Sequence, residues 1–390
     1  MKNPKGVGKL RTKIIWAILI LTIAVIITPW GRAFYKTLVI LPEFIPNSPV
    51  KTINLMTPKP VIQEVVFNSG QRQIYADLWL PKKKGKFPAA VLHLGIDIDR
   101  KDPRVQKLAN VFARSQVAIL VPNIPSLGSR RVLAEGKDDL IASFEYLKSI
   151  PNTKEDKLGF VGFCASGGLV LLASEDAKIA DNVSYVVTVN PYFDLSKLYE
   201  NITIRKIKDK DGIREWQPNF KTVEIYNRET INLLENTDEE IILYDRLVLI
   251  DKNKLETGNF DPLAQNELSR LSKEAKFTYE FLTNKNPDKV SYYLENVNPA
   301  QKNFLKEVSP STLIDNLKAK PFILMDKNNI YTPYTDAEML HKALGTKEHL
   351  FVETKILPAG DLAENLPLKN YLGEAVKIFR FIYSILSEIS

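Results

Sequence analysis

The stretch LGFVGFCASGG, Leu158 to Gly168, constrains the fold of this chain more than any other part of the sequence. An apolar run ends at a glycine, a cysteine follows, and small residues come next. A sharp turn from a strand into a helix needs small residues two positions before and two positions after its central residue. Gly162 and Ser166 occupy those positions around Cys164. The sequence therefore predicts that a strand turns abruptly into a helix at Cys164.

Short apolar segments alternate with amphipathic segments on both sides of this turn. The predicted strands are 61–68, 73–80, 89–95, 117–123, 157–163, 185–191, 320–326 and 348–358. The predicted helices of the same regions are 104–116, 138–150, 335–344 and 371–386. This alternation is typical of a mostly parallel sheet with helices on both faces. Sites in such sheets form at the carboxyl ends of the strands, which is where Cys164 is expected.

The N-terminal part of the chain has a different composition. Residues 1–13 form a basic tail without acidic residues, and residues 14–30 carry no charge. As a helix, the apolar run would span about 25 Å, near the lower limit for a membrane crossing. The basic tail predicts a single-pass membrane protein with a cytoplasmic N-terminus and an exported body. An uncleaved anchor is favoured over a cleaved signal peptide because no A-x-A site follows. Residues 31–60 are assigned to a spacer, in which the proline-rich residues 40–60 are predicted to be extended.

Composition and charge exclude several other classes. With 390 residues, of which 45% are hydrophobic, the chain can bury a large core. The net charge is +7, but five of the basic residues lie in the tail, so no nucleic-acid partner is predicted. Cys164 is the single cysteine, and the fold therefore cannot depend on an internal disulfide. The sequence shows no spacing typical of a metal site, and neither a metal nor another cofactor is predicted.

The strand and helix alternation stops after the sixth strand and resumes near residue 320. The residues between are more polar and include helical stretches. One of these, residues 259–284, is predicted as a helix with Asp261 as its N-cap and Pro262 at its first position. The body is therefore divided into a core, residues 61–195 and 310–390, and an inserted helical lid, residues 196–309.

The segment GFVGFCASGG resembles the nucleophile elbow of the α/β-hydrolase fold, in the G-x-C-x-G-G form of the dienelactone hydrolase family. The segments YADLWLPKKKGKFPAAVLHLG and SPSTLIDNLKAKPFILMDKNNIYTPYTDAEML resemble the early strands and the acid-bearing strand of the same fold. The resemblance covers roughly residues 60–195 and 309–390. It implies an α/β-hydrolase fold that acts on a small ester or lactone through Cys164. It also implies oxyanion donors at Ala165 and in the loop of Leu94, Gly95 and Ile96.

The family pattern also requires an acid after the strand at 320–326 and a histidine after the last strand. Asn328 or Asn329 stands where the acid would fall, with Asp326 as a nearby substitute. Asp361 stands where the family has its histidine. This chain therefore departs from the pattern at both partners of the nucleophile.

Only His93, of the three histidines, is predicted at the same edge of the sheet as Cys164. It is interpreted either as a base for the thiol or as a structural residue that holds the oxyanion loop. His341 is predicted in mid-helix, and His349 at the opposite end of the sheet.

Two alternatives remain open for the nucleophile and for the function. Cys164 is either a nucleophile or a small buried residue at a tight turn, and Ser166 is an alternative nucleophile in a shifted pattern. A few per cent of an ordinary thiol is ionised at pH 7, so slow cysteine chemistry survives the loss of a histidine. The first hypothesis is a membrane-anchored ester or lactone hydrolase. The second is a pseudohydrolase that binds a small ligand or a protein partner without turnover.

Overall fold

The computed structural model of the chain describes Trp16 and residues 28–44, 52–357 and 368–389. The strands are β1 (Val61–Ser69), β2 (Arg72–Leu80), β3 (Phe87–His93), β4 (Ala118–Pro122), β5 (Thr153–Phe163), β6 (Tyr185–Val189), β7 (Lys206–Asp209), β8 (Gly212–Glu215), β9 (Lys320–Asp326) and β10 (Leu350–Thr354). All of them except β7 and β8, which form a separate hairpin, belong to one sheet.

The helices surround this sheet. They are α1 (Pro29–Ile40), α2 (Thr52–Met56), α3 (Pro103–Arg114), α4 (Pro125–Gly128), α5 (Ala134–Ser149), α6 (Ala165–Ser174), α7 (Leu195–Ile204), α8 (Phe220–Ile231), α9 (Thr237–Leu247), α10 (Lys252–Thr257), α11 (Gln265–Arg270), α12 (Lys273–Thr283), α13 (Pro287–Asn296), α14 (Pro299–Glu307), α15 (Tyr334–Leu344) and α16 (Leu368–Ile389). Helices α7 to α14 and the β7–β8 hairpin all lie between β6 and β9, in a segment called here the insertion.

The eight strands follow the order β1-β2-β4-β3-β5-β6-β9-β10. Strand β2 runs antiparallel to both of its neighbours, and the pairs from β4 to β10 are parallel. The central strands β3, β4 and β6 are buried along their whole length, as expected for a sheet covered on both faces. This mostly parallel sheet with its helical layers is the α/β-hydrolase fold, as the sequence predicted.

Neighbouring residues of one strand enter two different cores. Phe160 of β5 packs into a core with α5, α6 and the insertion helices, on what we call the insertion side. The next residue, Val161, packs into a core with α1, α3 and α16, on what we call the terminal side. Because successive side chains of a strand point to opposite faces, each strand stabilises both layers. The insertion is not a separate layer with its own core, since its buried residues are continuous with those of the sheet.

The extended conformation predicted over residues 40–60 is wrong at Leu41–Phe44, which form a short 3₁₀ helix, and at α2. The first part of the predicted spacer, residues 31–40, is helical as well. Thr28 caps α1 by accepting a hydrogen bond from the Gly31 N–H at 3.0 Å, and Pro29 follows at the first helical position. The rings of Phe34 and Phe379 pack edge to face, with centroids 5.4 Å apart, so α1 lies against α16. The buried face of α1 is formed by residues such as Ala33, Thr37 and Ile40, and its burial outweighs the tendency of the later prolines to extend the chain.

The predicted anchor, residues 14–30, lies outside the described residues apart from Trp16 and its last three positions. No helix in the described part of the chain is both long enough and apolar enough to span a bilayer.

The helix predicted over residues 259–284 is in fact two helices, α11 and α12. Asp261 precedes both and pairs with Lys254 at 2.5 Å instead of capping a helix. Ser272 interrupts the predicted helix because its hydroxyl accepts a hydrogen bond from the Ala275 N–H at 3.1 Å and so caps α12.

Candidate active site at the strand-to-helix turn

The chain reverses direction at Cys164, between the last residue of β5 and the first residue of α6. Cys164 has φ 49° and ψ −122°, a conformation that residues other than glycine rarely adopt. Its N–H donates a hydrogen bond to the Val189 carbonyl at 2.8 Å, which joins the turn to the end of β6. The sharp turn predicted from the spacing of small residues is present, and Cys164 lies at its centre.

Close packing explains the glycines around this turn. A Cβ atom placed on Gly162 would lie 2.6 Å from the backbone oxygen of Ser166. A Cβ atom placed on Gly168 would lie 2.4 Å from the ring of Tyr192. Real Cβ atoms do not approach other heavy atoms this closely, so strand, helix and the loop after β6 meet only because these positions lack a side chain.

Cys164 lines a cavity of about 650 Å³. The predicted oxyanion residues Ala165, Leu94 and Ile96 line the same cavity. The structure therefore brings together the predicted nucleophile and three of the four residues predicted to supply oxyanion donors. A cavity of this size is within the range of small-molecule sites.

The thiol of Cys164 lies in surroundings that oppose its ionisation. Burial raises the pKa of the Cys164 thiol to about 12, although the residue as a whole is only half-buried. The N-terminus of α6 acts in the opposite direction, because its N–H groups favour a negative charge. At pH 7 a thiol with so high a pKa is almost entirely protonated, and its reactivity depends on a group that removes the proton.

His93 and Ser166 are bonded to each other beside the turn. The Nδ1 atom of His93 lies 2.6 Å from the Oγ atom of Ser166 and also accepts a hydrogen bond from the Gly95 N–H at 3.2 Å. Since Nδ1 is an acceptor from a backbone N–H, the pattern assigns the ring proton to Nε2 and makes the Ser166 hydroxyl a donor. Burial lowers the pKa of His93 to about 4, so the ring is neutral at pH 7.

The contact between His93 and Ser166 bears on the predicted roles of Ser166, His93 and Gly95. The Ser166 side chain is fully buried and is bonded to His93, which does not favour Ser166 as a nucleophile in the cavity. The Nδ1 atom of His93 contacts the oxyanion loop at the Gly95 N–H and is bonded to Ser166, an arrangement that is compatible with a structural residue. The N–H of Gly95 is already used in that contact, so Gly95 is a poorer oxyanion donor than the sequence predicted.

Asp326 and Asn329 are both buried at the end of β9, where they support loops. One carboxylate oxygen of Asp326 accepts a hydrogen bond from the Asn328 N–H at 2.7 Å, and the other accepts one from the Leu357 N–H at 2.5 Å. The Oδ1 atom of Asn329 accepts hydrogen bonds from the N–H groups of Tyr331 and Thr332, each at 2.9 Å. The structure thus places both residues at the predicted edge of the sheet but uses their oxygens for backbone contacts.

The other two histidines lie together, away from the turn. The Nδ1 atom of His341 is 2.6 Å from the Nε2 atom of His349, and the pair is exposed. All three histidines of the chain belong to the described residues, and none is bonded to Cys164. Asp361, predicted where the family has its histidine, lies outside the described residues.

Sequence reasoning did not single out Asn190, which connects the ends of two strands. This residue has φ 50°, and its Oδ1 atom accepts a hydrogen bond from the Asp326 N–H at 2.7 Å. Its carbonyl accepts another from the Thr332 hydroxyl at 2.8 Å. An asparagine between a buried strand and a proline was the available signal, because asparagine tolerates positive φ and bonds to nearby backbone groups.

A comparison against protein families finds a match that includes the turn at Cys164. Residues 114–200 match the dienelactone hydrolase family. This similarity includes β4, β5, the turn at Cys164, α6 and β6, and it confirms the resemblance seen in the sequence. A comparison with curated protein sequences finds no match.

Several solved structures are similar to this chain at low identity. The dienelactone hydrolase from Anabaena variabilis is 12% identical, with a TM-score of 0.43, over 85% of this chain and 99% of its own. The α/β-hydrolase GrgF from a Penicillium species is 14% identical, with a TM-score of 0.47, over 84% of this chain and 99% of its own. The Pyrococcus horikoshii acylaminoacyl peptidase is 13% identical, with a TM-score of 0.48, over 86% of this chain. The present chain spans only 42% of the length of that peptidase.

Proposed function

We propose that this chain is a slow hydrolase of ester or lactone bonds that uses Cys164 as its nucleophile. The observation that carries the proposal is the position of Cys164 at the centre of the turn, beyond β5 and on the wall of the 650 Å³ cavity. Sites of open α/β sheets form at this edge. The match of residues 114–200 to the dienelactone hydrolase family supports the class of reaction.

In the proposed reaction the Cys164 sulfur attacks the carbonyl carbon of the ester. The carbonyl oxygen becomes an oxyanion within reach of the N–H groups of Ala165 and of the loop at Leu94 and Ile96. The carbon–oxygen bond to the leaving group then breaks, the alcohol departs with the proton of the thiol, and a thioester remains on Cys164. Water hydrolyses the thioester, which releases the acid and restores the thiol.

We expect this reaction to be slow because no histidine is bonded to the thiol. Loss of one member of a catalytic triad lowers the rate by about three to six orders of magnitude, and the oxyanion donors provide what remains. The high pKa of the Cys164 thiol lowers the rate further at pH 7. The rate should therefore rise with pH up to a value near the thiol pKa, since the reactive form is the thiolate.

The second candidate function is ligand binding without turnover. It is favoured by the positions of the histidines, which are bonded to Ser166 and to each other, and by the raised pKa of Cys164. Under this alternative the cavity holds an ester-like small molecule and the thiol takes no part in chemistry.

The experiment that separates the candidates measures hydrolysis of a short activated ester by the wild type, Cys164→Ala and Ser166→Ala. We expect activity in the wild type and in Ser166→Ala, and its loss in Cys164→Ala. Equal rates in all three proteins would rule out the hydrolase. Alkylation of Cys164 across a pH series gives a second measure: ester hydrolysis that rises with pH in parallel with alkylation supports the hydrolase, whereas alkylation that rises without any ester hydrolysis supports the binding function.

We also propose that residues 14–30 anchor the chain in a membrane. The exposed side of α1, which directly follows the predicted anchor, carries Trp30, Phe34 and Leu38, with exposed fractions of 73%, 46% and 49%. Side chains of this kind are common where a helix meets a lipid interface. We expect the full chain to stay in the membrane fraction after alkaline carbonate treatment, whereas recovery in the supernatant would contradict an anchor.

A further inference from the structure

The cavity at Cys164 has walls on both sides of the sheet. Val161 of β5 lines it on the terminal side, and Tyr199 and Tyr226 line it on the insertion side. A hydrogen-bonded sheet leaves no opening between its strands, so the two parts can join only around an edge. Leu94 and Leu357, which follow the carboxyl ends of β3 and β10, also line the cavity. Cys164 therefore lies where the cavity passes from one side of the sheet to the other.

The part of the cavity on the terminal side is called here the terminal arm. It lies between the sheet and the helices α3 and α16, and the helix residues that define it are Leu108, Phe112, Ile378, Phe381, Ile382 and Ile385. All of these side chains are hydrocarbon. They would bury an apolar ligand. Helix α3 also contributes Arg104 and Lys107 to the cavity wall, but both of these residues are exposed.

The part on the insertion side differs in its chemistry. Its walls include Tyr199, Tyr226, Thr222, Lys221 and Glu229. Groups of this kind can bond to a polar leaving group, which the buried part of the terminal arm cannot do. The buried part of the cavity is therefore apolar on the terminal side of Cys164 and mixed on the insertion side.

We propose that the terminal arm binds the hydrocarbon chain of a long-chain acyl ester, whose carbonyl lies at Cys164 and whose leaving group lies under the insertion. A flexible chain can bend around the sheet edge, which a rigid ring system cannot. At about 30 Å³ for a water-sized group, the 650 Å³ cavity holds on the order of 20 such groups, enough for a long chain and a head group. The carbonyl position rests on the proposed function, whereas the binding of the chain in the arm does not.

The test uses the full chain in phosphatidylcholine nanodiscs and palmitic acid that carries a diazirine at its terminal carbon. After illumination, cross-linked peptides are identified by mass spectrometry. We expect cross-links in α3 and α16 that an excess of ordinary palmitic acid suppresses. Cross-links confined to insertion helices such as α7 and α8, or cross-links that palmitic acid does not suppress, would overturn the proposal.

Variants on one helix provide the matched control. Ile382→Trp fills the terminal arm and should lower the suppressible cross-linking at least tenfold. Leu372→Trp changes the same helix on a side chain that is 67% exposed, and it should leave the cross-linking unchanged. Phe112→Trp tests the opposite wall if Ile382→Trp fails to fold, as judged by thermal unfolding. Equal cross-linking in the filled and control variants would contradict the arm.

A series of competing fatty acids measures the apolar contribution. Each added methylene buried in the arm should improve competition about fourfold until the arm is full. Cys164→Ala distinguishes this proposal from the proposed function, because it should end ester hydrolysis and preserve cross-linking. A wild type that is cross-linked but hydrolyses no ester refutes the hydrolase alone, and one that hydrolyses esters without suppressible cross-links refutes the arm alone.

Discussion

The turn at Cys164 and the ends of β9 and β10 form two halves of the candidate site, and they differ in what holds them. At the turn, packing leaves no room for a side chain at Gly162 or Gly168. At β9 and β10, a few hydrogen bonds set the structure, and Asp326 gives both carboxylate oxygens to backbone N–H groups. The shape of the turn is therefore fixed by the packing of the whole fold, whereas the arrangement at β9 and β10 depends on single side chains.

The largest effect should come from adding one carbon at the turn. Gly162→Ala places a Cβ atom 2.6 Å from a backbone oxygen that cannot move without shifting α6. We expect a loss of about 3 kcal/mol or more in the free energy of unfolding, measured by urea denaturation. The control is Gly128→Ala, where a Cβ atom meets nothing within 4 Å. Equal losses in both variants would show that packing does not hold the turn.

The β9 half should respond to pH through Asp336, near the start of α15. This fully buried carboxyl accepts hydrogen bonds from the N–H groups of Phe193 and Asp194, and burial raises its pKa from 3.8 to about 7. Between those values the folded state keeps a proton that the unfolded state has lost, so wild-type stability falls as pH rises from about 4 to 7.

Asp336→Asn removes this titration and keeps an oxygen acceptor at the same position. We expect the variant to gain about 2 kcal/mol relative to the wild type between pH 4 and pH 6, from thermal unfolding at each pH. A constant difference between the two proteins across this range would contradict the role of Asp336. A substitution of Cys164 at the turn should give no such change of stability with pH, since no carboxyl lies at the centre of the turn.

Ser166→Ala tests whether the serine after the turn is structural. The change removes the shorter of the two hydrogen bonds to the buried Nδ1 atom of His93. We expect a loss of about 1.5 kcal/mol in urea denaturation, with the dependence of ester hydrolysis on pH unchanged. Ser143→Ala is the control, because that buried hydroxyl donates only to the Asp139 carbonyl of its own helix. A changed pH profile in Ser166→Ala would instead give Ser166 a part in the reaction.

The smallest effect concerns the backbone of the turn. At φ 49° and ψ −122°, alanine retains a Cβ atom that glycine lacks. Cys164→Gly should therefore be more stable than Cys164→Ala by about 1 kcal/mol. In the last turn of α6, by contrast, Ala173→Gly should be less stable than the wild type by about the same amount. If the glycine variant is less stable than the alanine form at both positions, the backbone of the turn is not strained.

Much of the fold could be predicted from local patterns. The predicted strand at 320–326 coincides with β9, and the small residues around Cys164 predicted the turn, because both depend on neighbours in the sequence. The helical part of residues 31–60 could not be predicted in this way. Its helices α1 and α2 are stabilised by burial of side chains such as Ile40 and Ile53, which the local proline pattern does not show.

The candidate site was less predictable than the fold. The bond between His93 and Ser166 joins the end of β3 to the helix after β5, and it depends on the register that sets His93 opposite Gly162. Side chains 73 positions apart in the sequence carry no local signal of such a contact. The same holds for the terminal arm, whose walls come from helices that are distant in the chain.

One feature of this molecule makes the site unusually easy to follow. Cys164 is the single cysteine of the chain and lies where the cavity turns around the edge of the sheet. A fluorophore or spin label attached through sulfur would therefore react at Cys164 alone, with no need to remove other thiols. The signal of the label would report whether a ligand fills the cavity at that bend, so ligand binding could be followed at the site itself.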